Sequence, residues 1–438
     1  MVAIPTNPDV VIIGAGAAGI GAGLALTRLQ IPFVILEAKN RIGGRAYSED
    51  TSIGGLWDHG CHWLHSAEIN PLRVIADKIG HPYRATTMEW VARYYLNGNC
   101  LDDHEIAHVR AAVNRYFEQA DEPLPEGSDR AAAELIDRTS PYATYLRDVV
   151  SAITSAPPDE LSLRDNNRYA GTDLDYPVSG GYGALMARLA TELPIRLNCP
   201  VTGIEVVGSG VTVAAPQGNL RVKAVILTVS VGVLAAGRIA LSPGLPGSVT
   251  KALQHVRLGD VEKIALEVTG RPFDGMSDTT IRVAEGSQGF FAEIHPYGRP
   301  LIVTHVSGPL GRELSGSGDK AAGDFITDRL VNAFGANVRK AVGRAKVTTW
   351  RHDPDVQGAY SYVRVGHADA REALIAADLA PLYLAGEAMT LDHYSTCHGA
   401  YLSGLRTAHK AASRLGAPAP EPDPLWLPED GTSSVGQS

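Results

Sequence analysis

An α/β protein is what the sequence predicts. A parallel-sheet nucleotide domain is joined to an α+β domain with an antiparallel sheet and helices, and both are discontinuous in sequence. Two observations carry this. Strand–glycine–helix signals recur at residues 8 to 45, 195 to 235 and 381 to 410. Between them lie other textures: residues 101 to 165 have helical spacing, as in A-H-V-R-A-A-V-N-R-Y-F, and residues 279 to 306 alternate apolar and polar, as in F-F-A-E-I-H and L-I-V-T-H-V. The predicted boundaries are 1–75, 180–260 and 352–415 for the nucleotide domain, and 76–179 and 261–351 for the second domain. Residues 416–438 read as a polar, Pro-rich tail.

The first signal is the most informative. The apolar run Val10 to Ile13 reads as a buried strand, and Gly14, Gly16 and Gly19 follow at G-x-G-x-x-G spacing. A helix-like stretch, Ala18 to Leu29, leads to a second apolar strand, Phe33 to Leu36, which ends on Glu37. This is a dinucleotide-binding βαβ unit with its ribose-binding acid in place. Gly14 permits the tight turn, Gly16 lets backbone approach a pyrophosphate, and Gly19 lets helix and strand pack closely. The anion sits on N–H groups at the helix N-terminus. R-I-G-G-R follows; Gly43 and Gly44 allow backbone to approach a large planar ligand, and Arg45 offers charge to phosphate. Val211 to Val213 and Leu220 to Val229 predict adjacent strands in the second signal. In the third, L-Y-L-A-G-E is a buried strand running into Gly386 and Glu387, with a helix-like stretch after His398.

The 438 residues carry a net charge of −9, which argues against nucleic acid as a partner and suits a cationic substrate. Cys61, Cys100, Cys199 and Cys397 form no C-x-x-C pair, so neither a disulfide framework nor a cysteine zinc site is expected. A reducing, cytoplasmic setting fits that pattern. The first Lys or Arg is Arg28, so the apolar N-terminus lacks the basic start of a signal peptide. No apolar run reaches the ~18 residues that span a bilayer, and no membrane partner is expected.

Two further features bear on chemistry. Lys263 interrupts the apolar strand pattern V-E-K-I-A-L-E-V, and a buried lysine is costly unless paired. His104, Glu105 and His108 satisfy H-E-x-x-H, a zinc-peptidase pattern, but no extended histidine continuation follows and the surrounding stretch reads as a polar amphipathic helix. No metal is expected there.

Five blocks in order resemble the FAD-dependent amine oxidases: the glycine fingerprint with R-I-G-G-R; G-C-H-W-L-H at 60 to 65; L-T-V-S-V-G-V-L with V-E-K-I-A-L; W-R-H-D-P-D-V-Q-G-A-Y-S-Y at 350 to 362; and L-A-G-E-A-M-T-L-D-H-Y-S-T-C-H-G-A-Y-L-S-G at 384 to 404. The resemblance spans roughly residues 8 to 415, and the last two blocks look most like polyamine and spermine oxidases. It implies a Rossmann-like, GR2-type FAD domain. It places Gly44 and Arg45 along the FAD, Val201 at the adenine and Glu387 near the ribityl chain. Lys263 is implied to hold a water near flavin N5, His65 to position the amine or take its proton, and Trp350 and Tyr360 to line the reaction face. Counting from Gly386 puts Thr396 where monoamine oxidases carry a second cage aromatic, and Ala359 where they carry the flavin-linked cysteine. The FAD is therefore expected to be non-covalent.

The resemblance implies oxidation of an amine, preferably a polyamine, to an imine that hydrolyses to an aldehyde, with O2 reduced to H2O2. Glu68, Asp175 and Glu293 are candidates for holding a polycation. A monoamine or diamine oxidase is the alternative, and an amino-acid oxidase a more distant one. The resemblance is compatible with a homodimer. A nicotinamide-only dehydrogenase would leave R-I-G-G-R and the C-terminal G-E block unexplained.

Overall fold

The computed structural model describes residues 4–85, 91–172, 174–270, 272–286 and 288–417. The tail expected over 416–438 lies, from Pro418 on, outside the described residues. The fold is mixed α/β, as the sequence predicts.

Five parallel strands form one sheet in the order Leu382–Leu384, Ala224–Leu227, Val10–Ile13, Phe33–Leu36 and Ile195–Arg196. All three glycine-bearing signals contribute to it. Its central strands, V-V-I-I, F-V-I-L and A-V-I-L, are buried along their whole length. Such continuous apolar runs mark a sheet covered on both faces. Alternation divides them. Val10, Ile12, Ile35 and Ile226 join a core with the helices Ala17–Arg28 and Cys397–Arg414, whereas Val11, Val34, Val225 and Leu227 pack on Ile204, Val211 and Val213 of a small four-stranded sheet.

The single strand expected over Leu220 to Val229 is two strands. Gly218–Val222 belongs to the four-stranded sheet and Ala224–Leu227 to the parallel one. Lys223 makes the break: its ammonium pairs with Asp9 at 2.9 Å, which a strand buried at every position could not accommodate.

The helices Ala17–Arg28 and Cys397–Arg414 approach backbone to backbone. A Cβ on Gly404 would stand 1.9 Å from the Ala18 carbonyl oxygen, so only glycine fits. This contact joins the first and last helices of the described residues.

The alternating stretch forms Thr279–Glu285, Gln288–Ile294 and Leu301–Ser307, within a seven-stranded sheet that also holds Val261–Val268 and Val342–Val347. One face buries Ile264, Leu266, Phe290, Ala292, Ile302 and Val306 against the helices Gly308–Ser317 and Asp319–Phe334. Positions one residue out of phase face the other way. Among the described residues no helix is long and apolar enough to cross a membrane.

Gly404→Ala should lower unfolding stability by about 3 kcal/mol, because neither backbone can give way. Urea unfolding measures it; an unchanged midpoint would show that the helix pair has slack.

Candidate active site

A continuous cavity of ≈1400 Å³ runs from the glycine turn to the seven-stranded sheet. Its wall includes every residue that the sequence suggests for catalysis or cofactor binding except Gly19, which stands behind it. A Cβ on Gly19 would lie 1.9 Å from the Gly14 carbonyl oxygen, so this glycine closes the turn. Gly16 is different. The nearest protein atom to a Cβ there is 3.9 Å away, and the space it would fill is cavity. A glycine that packing does not demand, at the start of a helix, fits a site where a ligand's phosphate approaches the backbone. Glu37 ends its strand with one carboxylate oxygen accepting from the Ala15 amide at 2.7 Å and the other from the Lys39 amide at 2.9 Å. Burial, opposed by those hydrogen bonds, raises its pKa. Val201 lies on the same stretch of wall.

Arg45 and Glu387 close the cradle from opposite ends of the chain. The Arg45 guanidinium pairs with Glu387 Oε1 at 3.0 Å and donates to the Ala359 carbonyl, so its charge is committed within the protein. Glu387 Oε2 accepts from Ser361 Oγ at 2.6 Å and from the Ser395 amide at 3.0 Å. Burial would raise this carboxyl, but Arg45, Ser361 and Arg371 hold it below its usual value.

Strand register explains the far end. Lys263 pairs with His305, and His305 with Phe291; Glu293 follows two residues along. All four project from the face opposite the apolar core and line the cavity. Lys263 is 5% exposed, and its Nζ donates to the Asp58 carbonyl at 3.0 Å. Burial pulls its ammonium pKa down, against the attraction of Asp58 and Glu293. Glu293 contacts His62 Nε2 at 3.4 Å and His305 Nε2 at 3.0 Å. Burial would raise its carboxyl, yet His62, His305 and Lys263 lower it to about 2. The His305 imidazole falls to about 4, through burial and the Lys263 charge. A buried carboxylate beside a neutral imidazole therefore faces the cavity at neutral pH.

The strand Trp63–Leu64 separates two histidines. His65 is half-exposed, with Nδ1 2.8 Å from Asp175 Oδ2. His62 is buried between Asp58, at 2.8 Å, and Glu293. The family resemblance favoured His65; the geometry gives His62 the more enclosed position. The Trp63 ring lies among them, its centroid 4.7 Å from that of His62, 5.3 Å from that of His305 and 5.8 Å from Lys263 Nζ. It is a wall residue that sequence reasoning passed over, although it stood inside the G-C-H-W-L-H block.

Tyr360 lines the cavity and donates to the Ala152 carbonyl at 2.7 Å; the Trp350 indole donates to the His59 carbonyl at 3.0 Å. Thr396 caps the last helix by accepting from the Gly399 amide at 2.9 Å. Tyr394, two residues before Thr396, lines the cavity with Tyr169, their rings 5.5 Å apart. Counting positions without three dimensions misses this. Asp175 and Glu293 are on the wall; Glu68 is not, and its carboxylate accepts from Thr172 at the surface.

The H-E-x-x-H run lies on the helix Asp103–Ala120, with both histidines exposed. Glu105 accepts from the Asp102 amide at 2.9 Å in a capping box, so its carboxylate serves the helix terminus.

A sequence profile of the flavin-containing amine oxidoreductases matches residues 17–412. The chain belongs to this family. A polyamine oxidase of Oryza sativa subsp. japonica is 28% identical, with 93% of this chain and 89% of that protein covered. A probable polyamine oxidase of Arabidopsis thaliana is also 28% identical, over 94% and 89%. Lysine-specific histone demethylase 2 of Homo sapiens is 26% identical over 93% of this chain and 54% of its own length. Family membership supports a flavin cofactor and an amine substrate, and Gly16 and its neighbours fit the cofactor's phosphate end.

The lowered imidazoles set an acid limit. His59 and His305 both fall from 6.5 to about 4. The folded protein binds these protons more weakly than the unfolded chain does, so stability falls as pH drops from 6.5 towards 4. His305→Asn should flatten that slope, read from urea midpoints across the window. A slope identical to wild type would remove His305 as its source.

Proposed function

We propose that the chain is an FAD-dependent amine oxidase acting on a polyamine. The observation that carries the substrate class is Glu293, a carboxylate held ionised on the cavity wall a short way from Lys263. Asp175, at the half-exposed His65, supplies a second negative group on the same wall. Two carboxylates in one cavity suit a ligand with more than one ammonium group.

FAD would be held by Gly14, Gly16 and Glu37 at its nucleotide end, with Val201 beside the adenine, and by Gly44, Arg45, Gly386 and Glu387 along its length. The parallel-sheet region, 1–75, 180–260 and 352–415, is then its Rossmann-like domain, and the remainder supplies the substrate wall. FAD bound there would supply a hydride acceptor for the carbon beside the amine nitrogen and a route for those electrons to O2, with H2O2 as product.

This chain's residues do the rest. The reacting nitrogen must be unprotonated, because its lone pair drives loss of hydride. A pocket walled by Trp63, Tyr169, Tyr360 and Tyr394 excludes water and disfavours the ammonium form of that nitrogen. Glu293 holds a distal ammonium, which fixes the chain of the substrate and the nitrogen that reacts. Lys263 donates one N–H to the Asp58 carbonyl and keeps two donors for a water or oxygen species. The absence of a thiol at Ala359 supports non-covalent attachment.

The purified protein should be yellow and should release FAD on denaturation; flavin retained on the polypeptide would overturn non-covalent binding. Peroxide should form with spermine, spermidine or their acetylated forms. Peroxide from simple monoamines alone would overturn the polyamine reading. Glu293→Gln should raise KM for the polyamine roughly 10- to 100-fold and leave a monoamine's little changed. Lys263→Met should slow turnover with oxygen roughly 100-fold, while anaerobic bleaching by substrate stays near the wild-type rate.

A further inference from the structure

His62 lies between two carboxylates that reach it from separate parts of the fold. Its Nδ1 is 2.8 Å from Asp58 Oδ2, and its Nε2 is 3.4 Å from Glu293 Oε2. The ring is buried and stands on the cavity wall. Asp58 Oδ1 accepts from the Tyr182 amide at 2.8 Å and from the Ser48 hydroxyl. Glu293 Oε1 lies 3.0 Å from His305 Nε2. An ionised carboxylate only accepts hydrogen bonds, so a ring nitrogen that faces one carries the proton. Both nitrogens of His62 face one, and a ring protonated at both is an imidazolium.

Further charged and titratable groups surround it. The Lys263 ammonium, on the neighbouring sheet, donates to the Asp58 carbonyl at 3.0 Å. The Tyr297 ring centroid is 6.2 Å from that of His62, and the guanidiniums of Arg84 and Arg299 stand 5.0 and 4.8 Å from the same tyrosine ring. Cys61 precedes His62 in the chain, and His65 pairs with Asp175 at 2.8 Å. Burial would raise the Glu293 carboxyl, but the His62 charge leads the groups that hold it at about 2. Glu293 therefore has a cation beside it before any substrate arrives. The polyamine reading gives Glu293 to a substrate ammonium, so one cation must yield to another. Of the two kinds beside Glu293, imidazolium and ammonium, the imidazolium is the one whose ordinary titration falls near neutral pH.

We propose that His62 determines specificity by exchange: it pairs with Glu293 as an imidazolium in the free enzyme and gives up its Nε2 proton when the distal ammonium of a substrate takes that place. The proton leaves to the buffer, and Nδ1 keeps its own towards Asp58. The Nε2 lone pair and Glu293 Oε2 then offer the ammonium two acceptors side by side. One positive charge leaves as another enters, so the buried charge around Lys263 is unchanged. A ligand without a distal charge displaces nothing, and Glu293 stays paired with His62. The exchange rests on the polyamine reading above; the imidazolium in the free enzyme does not.

The test is nitrogen NMR on holoenzyme isotopically labelled at its histidine rings. His62 is assigned by its loss in His62→Gln and, should that variant not fold, by contacts with the Trp63 ring, whose centroid is 4.7 Å away. Near neutral pH both of its ring nitrogens should give protonated signals. An unprotonated nitrogen on His62 in the free enzyme would overturn the proposal. The flavin is then reduced with dithionite under nitrogen, so that amines bind without being consumed. Spermidine should convert the Nε2 signal to the unprotonated form and leave Nδ1 protonated, whereas butylamine should change neither. Calorimetry in two buffers of different ionisation heat should show wild type releasing about one proton more than His62→Gln on binding spermidine. Spermidine bound beside an unchanged imidazolium would overturn the exchange and leave the polyamine reading standing. Failure of spermidine to bind at all would overturn that reading and the exchange with it, while the imidazolium of the free enzyme would stand.

Discussion

The Glu387 carboxylate is the point at which separated parts of the chain are held around one cavity. Arg45 reaches it from the glycine-rich N-terminal segment, Ser361 from the strand Ser361–Val363, and Ser395 from the approach to the last helix. Ser361 Oγ in turn accepts from Arg371 at 2.9 Å, and Arg371 pairs with Asp165 at 3.0 Å with both side chains fully buried. Removing one member of such a network leaves another charge buried without a partner, which typically costs about 3–5 kcal/mol. The network therefore acts as a constraint on geometry. The cradle exists only when residues from positions 45, 361, 387 and 395 are all in place, and that condition is met only in the complete fold.

A second constraint is electrostatic. Lys263, Glu293 and His305 share one side of a sheet whose other side is an apolar core, and His62 packs against that side at Glu293. A lone ammonium or carboxylate at that depth would be neutralised by a shift in its own pKa. Here each charge has a counterpart: Asp58 and Glu293 for Lys263, Lys263 and the imidazoles for Glu293. His305 stays neutral because burial and the Lys263 charge pull its pKa down to about 4. The cavity can hold an ionised carboxylate and a lysine together without bulk water, and a cationic substrate meets a field fixed before it arrives.

Much of the fold was legible in the sequence because its strands obey simple periodicities. Val10–Ile13 and Phe33–Leu36 are apolar throughout, Gln288–Ile294 and Leu301–Ser307 alternate, and the structure places each where those patterns predict. Lys223 was the exception, since an apolar run on both sides of one charge reads as continuous until the charge is seen to end a sheet. The site was legible in its parts. Glycine spacing marked the turn, and an isolated lysine in an apolar strand marked Lys263. What sequence could not supply was adjacency. Tyr394 reaches the cavity because of how the chain turns before the last helix. The enclosure of His62, against the exposure of His65, depends on Glu293, some 230 positions away.

These two constraints act on different surfaces, and that bears on how specificity could vary. The cradle depends on charge pairs that link segments, so changes there disturb the fold itself. The sheet that carries Lys263 is organised by alternation. Phe290, Ala292 and Ile294 hold the core, while Phe291 and Glu293 face the cavity. Neighbouring positions on one strand thus answer to separate demands. A cavity-facing residue can change size or charge while the core contacts of its neighbours persist, provided the charge balance around Lys263 is kept. Positions 291, 293 and 305 can therefore vary at the least cost to the core, and His62 links Glu293 to Asp58 on its own strand pair.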